Sequence, residues 1–288
     1  MQIGIGLPAA VPGTDMRLIG RWAAQAERDG FASVGVIDRL LYDNLDPLTA
    51  LAAAAACTSR IELVSAVVNV CWRNNDVVLA KQLSSIVRLS GGRLTAGLGM
   101  GGWPADYEAS GVPLAGRGAR FERSLAAMQR AWEATGDRPR ILLGATVPAG
   151  FARAATPVSD GWVAPGFGFD LLTSGVAAVT EAWTQARRAG RPRIMTARYV
   201  SLGPGAASVA DDYLRHYYGD AYFPAARADT LTTAAEISAE LDRLSGAGCT
   251  DVVLLPCSGD LEQVSLLADV LRACSASTAP RREAISMA

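Results

Sequence analysis

Short apolar runs with strand character alternate with longer stretches in which apolar residues recur at helical spacing. The strand-like runs are QIGIGL (2–7), ASVGVI (32–37), IELVSAVV (61–68), RLTAGLG (93–99), RILLG (140–144), DGWVA (160–164), RIMTARYVSL (193–202) and TDVVLLP (250–256). Between them lie MRLIGRWAAQAERDG, DPLTALAAAAACTSR, DVVLAKQLSSIVRLSGG, GARFERSLAAMQRAWEATG and later helical segments. Most of these have Asp or Thr near the start and Gly at the stop, as helix ends do. Strict alternation predicts parallel strands joined by right-handed crossovers. Eight such units in 288 residues predict an α/β protein with one closed (β/α)8 barrel, the TIM-barrel architecture. A doubly wound sheet is the competing fold. No Pro/Ser-rich linker divides the chain, so the expected organisation is one barrel domain over 1–274 and a flexible C-terminal tail over 275–288.

The segment RLTAGLGMGGWPADYEASG (93–111) raises a question of its own. Gly97, Gly99 and Gly102 spell GxGxxG, the spacing of a dinucleotide-binding loop. They follow the fourth strand rather than the first, and Trp103 and Pro104 prolong a loop where a dinucleotide fold needs a helix to start at once. The dinucleotide reading is therefore rejected. At the C-terminal mouth of a barrel strand, such glycines either let a flat ligand lie against backbone N–H groups or simply let the chain bend.

Composition narrows the chemistry. Half of the residues are hydrophobic and the formal net charge is -1, so a large core is available and nucleic acid is a poor partner. No apolar run reaches membrane-span length, and MQIGIGLP opens as a strand without the charged region of a signal peptide. The five cysteines are scattered, which favours reduced thiols in a cytoplasmic protein over disulfides or a zinc site. His216 is the only histidine and Lys81 the only lysine. A histidine-rich metal centre is excluded, and Lys81 sits in an amphipathic helix where it solvates the surface. With so little acid–base equipment, a borrowed cofactor is expected.

The ordered set of segments resembles the bacterial luciferase-like flavin and deazaflavin oxidoreductases over roughly 2–272. AERDGFASVGVIDRL resembles that family's first helix and second strand, and DPLTALAAAAACTSRIELVSAVVNV the next helix and third strand. LAKQLSSIVRLSGGRLTAGLGMGG, DYEASGVPLAGRGARFERSLAAMQRAW and ILLGATVPAGFARAATPVSDGWVA continue the match in order. The resemblance implies a (β/α)8 barrel that holds reduced FMN, or alternatively coenzyme F420, at its C-terminal mouth. Ala66 and Val67 match a third-strand bulge, often a non-proline cis peptide, that backs the isoalloxazine, and Asn69 follows within reach of the ring's polar edge. Gly99, Met100 and Gly101 match the loop bordering the ring, Gly144 and Ala145 the usual Gly-Gly after strand five, and Ala164 to Gly166 the loop near the phosphate. The start of GATVPAGFARAA is either an anion site made by free N–H groups or a plain helix start with Pro148 in its first turn.

Departures from the family pattern also carry expectations. Where the family often has Asp-His, this chain has Asp38 and Arg39. Arginine can clamp an anion but is a poor general acid. Asp38 is either a desolvated general base or the partner of Arg39, the pairing being preferred. Gly35 replaces a common tryptophan, which predicts space near the pocket, and Trp103 either refills the mouth or packs. The usual cover before strand five is short, so the mouth is open, closed by a neighbouring subunit, or closed by the insertion DDYLRHYYGDAYFPAARADTLTT. That insertion's aromatics form either a substrate wall, with His216 as proton donor, or the buried face of a helix.

The leading expectation is a monooxygenase that uses O2 and reduced FMN, supplied by a separate flavin reductase, on a small organic molecule. One alternative is F420-dependent hydride transfer, with Arg153, Arg198 and Arg227 as candidates for the charged tail. Another is a non-catalytic flavin-binding barrel. A sugar-phosphate aldolase or isomerase barrel would need a Lys, His or Glu at a strand end and is disfavoured. The family default is a homodimer.

Overall fold

A computed structural model describes residues 1–278. Its strands are β1 (Gln2–Gly6), β2 (Ser33–Val36), β3 (Glu62–Ser65), β4 (Val68–Asn69), β5 (Leu94–Gly99), β6 (Arg140–Gly144), β7 (Gly161–Val163), β8 (Arg193–Val200) and β9 (Asp251–Pro256). All pair in parallel, in the order β3-β2-β1-β9-β8-β7-β6-β5-β4, and β3 closes the ring by pairing directly with β5. The sequence run 61–68 is one barrel stave broken by the cis Ala66–Val67 peptide, so β3 and β4 are its halves and the barrel has the eight staves of a (β/α)8 fold.

The helices are α1 (Ile19–Arg28), α2 (Pro47–Cys57), α3 (Asp76–Ser90), α4 (Pro104–Ala109), α5 (Arg117–Thr135), α6 (Pro148–Ala154), α7 (Phe169–Gln185), α8 (Ala206–Ala228), α9 (Ala234–Gly246) and α10 (Glu262–Thr278). Their ends follow the local chemistry. Asp46 accepts from the N–H groups of Leu48 and Thr49 ahead of Pro47, and Thr233 and Glu236 form a capping box. Gly91 ends α3 at φ 65°. The short α4 interrupts what reads in sequence as continuous loop. Helix α8 is kinked at Gly219, and Pro224 lies inside it. Helix α10 runs past the expected domain end at 274, and the expected tail lies outside the described residues from 279 onward. No described helix is long and apolar enough to cross a membrane.

Alternation along the strands sorts the core into two shells. Ile194, Val252 and Leu254 face the helices, whereas Val64, Leu142, Val163, Met195 and Val253 fill the barrel interior. At the N-terminal end the same inward positions become polar. Arg193 reaches Glu62 at 2.7 Å and Asp251 at 2.6 Å, and Thr95 donates to Glu62 at 2.5 Å. This network ties β3, β5, β8 and β9 together across the barrel floor.

Burial alone would raise the Glu62 carboxyl, but hydrogen bonds from Arg193 and Thr95 hold it below its ordinary value. Its stabilising contribution is therefore present above the unfolded pKa and is lost as pH falls through the folded one. Arg193→Met leaves Glu62 and Asp251 without this partner. Denaturant titration should show a loss of about 2–3 kcal/mol at neutral pH, less than for a wholly buried pair because the network is part-exposed. The gap between variant and parent should narrow below about pH 4. A gap that does not change with pH would mean that the loss comes from packing and not from the charges.

Candidate active site

On the side of β4 to β7, large inward side chains give out at the C-terminal end of the barrel. Beside the ends of β4, β5, β6 and β7 lies a cleft of about 370 Å³ bordered by Ala66, Val67, Asn69, Gly99, Met100, Gly101, Gly144, Ala145, Ala164 and Gly166, with Gly102, Thr146 and Arg117 on its rim. The ten residues expected at a cofactor site thus border a single cavity. Their small side chains leave a floor that is largely backbone.

The glycines divide by role. A Cβ on Gly99 would come within 2.5 Å of Val67 Cγ2, and one on Gly101, at φ +81°, within 2.6 Å of the Trp72 ring. These two admit their neighbours rather than a ligand. A Cβ on Gly102 would meet nothing within 4 Å, so that stretch of backbone faces open space. The Tyr107 hydroxyl donates to the Met100 carbonyl and holds the loop in place. Helix α6 starts at Pro148 with no side-chain cap.

Asp38 and Arg39 do not pair with each other. Residues adjacent on an extended chain point to opposite sides, and each finds a different partner. Asp38 is buried; its Oδ2 accepts from the Asn69 N–H at 2.8 Å and faces Arg73 Nη2 at 3.2 Å. The Asn69 side-chain amide donates back to the Asp38 carbonyl at 2.9 Å, which commits one of its two N–H donors. Burial outweighs Arg73 and holds the Asp38 carboxyl above the ordinary aspartate value. Arg39 instead donates to Asp106 at 3.1 Å and stacks its guanidinium 3.8 Å from the centre of the Trp103 ring. Asp106 is fully buried, and its carboxylate also accepts from the N–H groups of Leu40 and Leu41, anchoring the loop after β2.

The insertion on α8 serves as both wall and core. Tyr213 and Tyr217 are buried in the barrel-interior cluster, and Tyr217 and Tyr218 roof a second, smaller chamber beside the cleft together with Trp103 and Tyr199. His216 is exposed and lines neither cavity; its Nδ1 lies 2.7 Å from the Tyr42 hydroxyl. It braces the loop after β2 and is not placed to donate a proton in the mouth. The space expected from Gly35 is also absent, because a Cβ there would meet Val253 Cγ1 at 2.6 Å and Val64 Cγ2 at 3.2 Å.

Sequence reasoning missed Arg73, Asp106 and Arg117. The first two look like ordinary loop and helix-start charges. Arg117 opens α5 on the cleft rim, and among the described residues its guanidinium forms no ion pair. No group of His, Cys, Asp and Glu among the described residues could hold a metal ion.

The profile of the luciferase-like monooxygenase family matches residues 1–255. An uncharacterised protein of Mycobacterium tuberculosis is 29% identical over 191 residues, covering 55% of this chain and 67% of that protein. The crystal structure of monooxygenase RslO1 from Streptomyces bottropensis superposes with a TM-score of 0.79 at 22% identity, over 95% of this chain and 99% of that one. An F420-dependent secondary alcohol dehydrogenase in complex with an F420-acetone adduct superposes with a TM-score of 0.80 at 16% identity, over 95% and 98% of the two chains.

The two kinds of glycine predict opposite responses. Gly99→Ala drives a methyl into Val67 and should cost about 1–3 kcal/mol of stability. Gly102→Ala projects into open space and should stay within about 0.5 kcal/mol of the parent. Thermal unfolding of both variants checks this, and equal losses would contradict the division.

Proposed function

The chain belongs to the luciferase-like monooxygenase family, and from that premise we propose that reduced FMN occupies the cleft and that the protein uses it with O2 to oxygenate a small organic molecule. One observation carries the choice of cofactor: a flat, backbone-lined cleft with a single unpaired cation, Arg117, on its rim among the described residues. That suits a planar ring system with one phosphate. Ala66, Val67 and the loops at Gly99–Gly102 and Gly144–Thr146 would hold the ring, and Arg117 the phosphate. When bound, reduced FMN supplies the electrons for reaction with O2.

The chain's own work is positioning, water exclusion and proton management. Trp103, Tyr217 and Tyr218 line the inner chamber and would limit the access of water to it. Asp38, desolvated and facing that chamber, is the group able to hold a proton there. Arg39 acts through Trp103, which it fixes by stacking.

F420 would need further cations for its charged tail. Arg153 pairs with Glu122 at 2.6 Å and Arg227 with Asp211 at 2.5 Å. Arg198 is wholly buried against Glu240 at 2.7 Å. None of the three borders the cleft. A separate flavin reductase that delivers reduced FMN, and a homodimeric assembly, complete the reading.

The test is titration of FMN, riboflavin and F420, oxidised and reduced, under nitrogen. Reduced FMN should bind most tightly. Arg117→Ala should weaken FMN about tenfold, the worth of a charge-assisted phosphate contact, and leave riboflavin unchanged. A preference for F420 would replace this reading with hydride transfer without oxygen. Unchanged FMN binding in the variant would remove Arg117 from the phosphate site.

A further inference from the structure

The smaller chamber measures about 170 Å³ and shares Ala66, Val67, Asn69, Ala164 and Gly166 with the cleft. Its far side is aromatic. The Tyr217 and Tyr218 rings meet edge to face at 4.8 Å, and Trp103 meets Tyr217 edge to face at 6.1 Å. Tyr199 completes the wall, its hydroxyl 2.9 Å from that of Tyr218. Ile37, Ala197 and Leu255 supply aliphatic surface. Resting on the reading that the cleft holds the flavin ring, we infer that this chamber is the substrate site and takes an uncharged monocyclic phenol.

Size comes first. An apolar cavity of roughly 150 Å³ holds a benzene molecule, so this chamber accommodates one six-membered ring. A flavin held by the cleft residues would take up the space next to the five residues that the two cavities share, and a fused second ring would then compete with it for that space.

Shape and polarity follow. Rings set edge to face present both hydrogen-rich edges and electron-rich faces to a flat aromatic guest. The Tyr199–Tyr218 pair spends one hydroxyl hydrogen on its own bond and leaves the other for a guest oxygen. Burial pushes the Tyr218 hydroxyl up to about 12 and that of Tyr199 well above its ordinary value, so both remain donors at neutral pH.

Charge excludes ions. The one carboxylate facing the chamber, Asp38, is answered by Arg73 at 3.2 Å and by the Asn69 N–H. Behind Trp103, Arg39 is answered by Asp106 at 3.1 Å. No Lys or Arg lines the chamber among the described residues. An ionic guest would lose hydration and gain no counter-charge.

The experiment is calorimetric titration of phenol, benzoate, fluorobenzene and 2-naphthol, with and without saturating oxidised FMN. Phenol should bind with one site per chain in both states, and benzoate at least tenfold more weakly. Without FMN, 2-naphthol should bind about as well as phenol because it can extend into the cleft; with FMN it should fall at least tenfold behind. Tyr218→Phe should weaken phenol about fivefold and leave fluorobenzene unchanged, as expected for a lost neutral hydrogen bond. No saturable phenol binding, benzoate binding as tightly as phenol, or 2-naphthol indifferent to bound FMN would each overturn the inference. The Tyr218→Phe comparison is read without flavin, so it tests the chamber even if FMN fails to bind. A flat series beside tight FMN binding overturns the chamber assignment alone. A selective series in protein that binds neither FMN nor F420 overturns the cofactor reading, and the substrate role with it.

Discussion

A closed parallel barrel has no edge, and its interior is filled only by the alternate side chains that point inward. How those inward positions change along the axis governs this molecule. At the floor they are Glu62, Thr95, Arg193 and Asp251, joined by charge-assisted hydrogen bonds. In the middle they are aliphatic: Val64, Leu142, Met195 and Val253. At the mouth they shrink to glycine and alanine on one side and become tyrosine on the other, so that a flat cleft and an aromatic chamber open side by side. Floor and mouth are the two ends of one packing sequence. The floor locks the staves in register, and the mouth is free to be hollow because the levels below it are full.

Arginine does much of the binding-together. With one lysine in the chain, positive charge comes almost wholly as planar forks, which satisfy several acceptors at once. Arg93 donates to the carbonyls of Ile61 and Thr58 at 2.7 and 2.9 Å, and Arg188 to that of Ser159 at 3.0 Å, closing loops behind the barrel. Arg39, Arg73 and Arg198 each answer a buried carboxylate. Among the described residues Arg117 is the one cation that borders the cleft, so the site's electrostatics are simpler than the arginine count suggests.

Much of this was legible in the sequence because alternation and helical spacing are direct consequences of burial. The eight strand-like runs fall on the barrel staves, and residues scattered from 66 to 166 meet at one cleft because the C-terminal ends of parallel staves converge. What was not legible is pairing in space. Asp38 and Arg39 are neighbours in sequence, yet opposite orientations send one to Arg73 and the other to Asp106, partners 35 and 67 residues away. Gly35 suggested a void that Val253, on a strand more than two hundred residues later in the chain, already fills. Gly99 suggested room for a ligand where the room belongs to Val67. A one-dimensional pattern reports which face a residue takes; it does not report who stands opposite.

The insertion shows why a choice between core and wall was too narrow. Tyr213, Tyr217 and Tyr199 are almost wholly buried, yet Tyr217 and Tyr199 also border the chamber, because it reaches in from the barrel mouth. Burying so many phenols is made tolerable by rings packing on rings. Tyr213 stacks on Tyr217 at 5.9 Å, and Tyr199 and Tyr218 bond to one another. Gly219, whose φ of 68° lies outside the helical region, then kinks the helix just beyond Tyr218. Both sides of the kink therefore contribute to the mouth, Tyr217 and Tyr218 before it and Tyr222 after it, whose ring lies 6.3 Å from that of Trp103. The cover is thus made of residues that also belong to the core cluster, so on the proposed reading selectivity rests on a chamber already shaped by that packing.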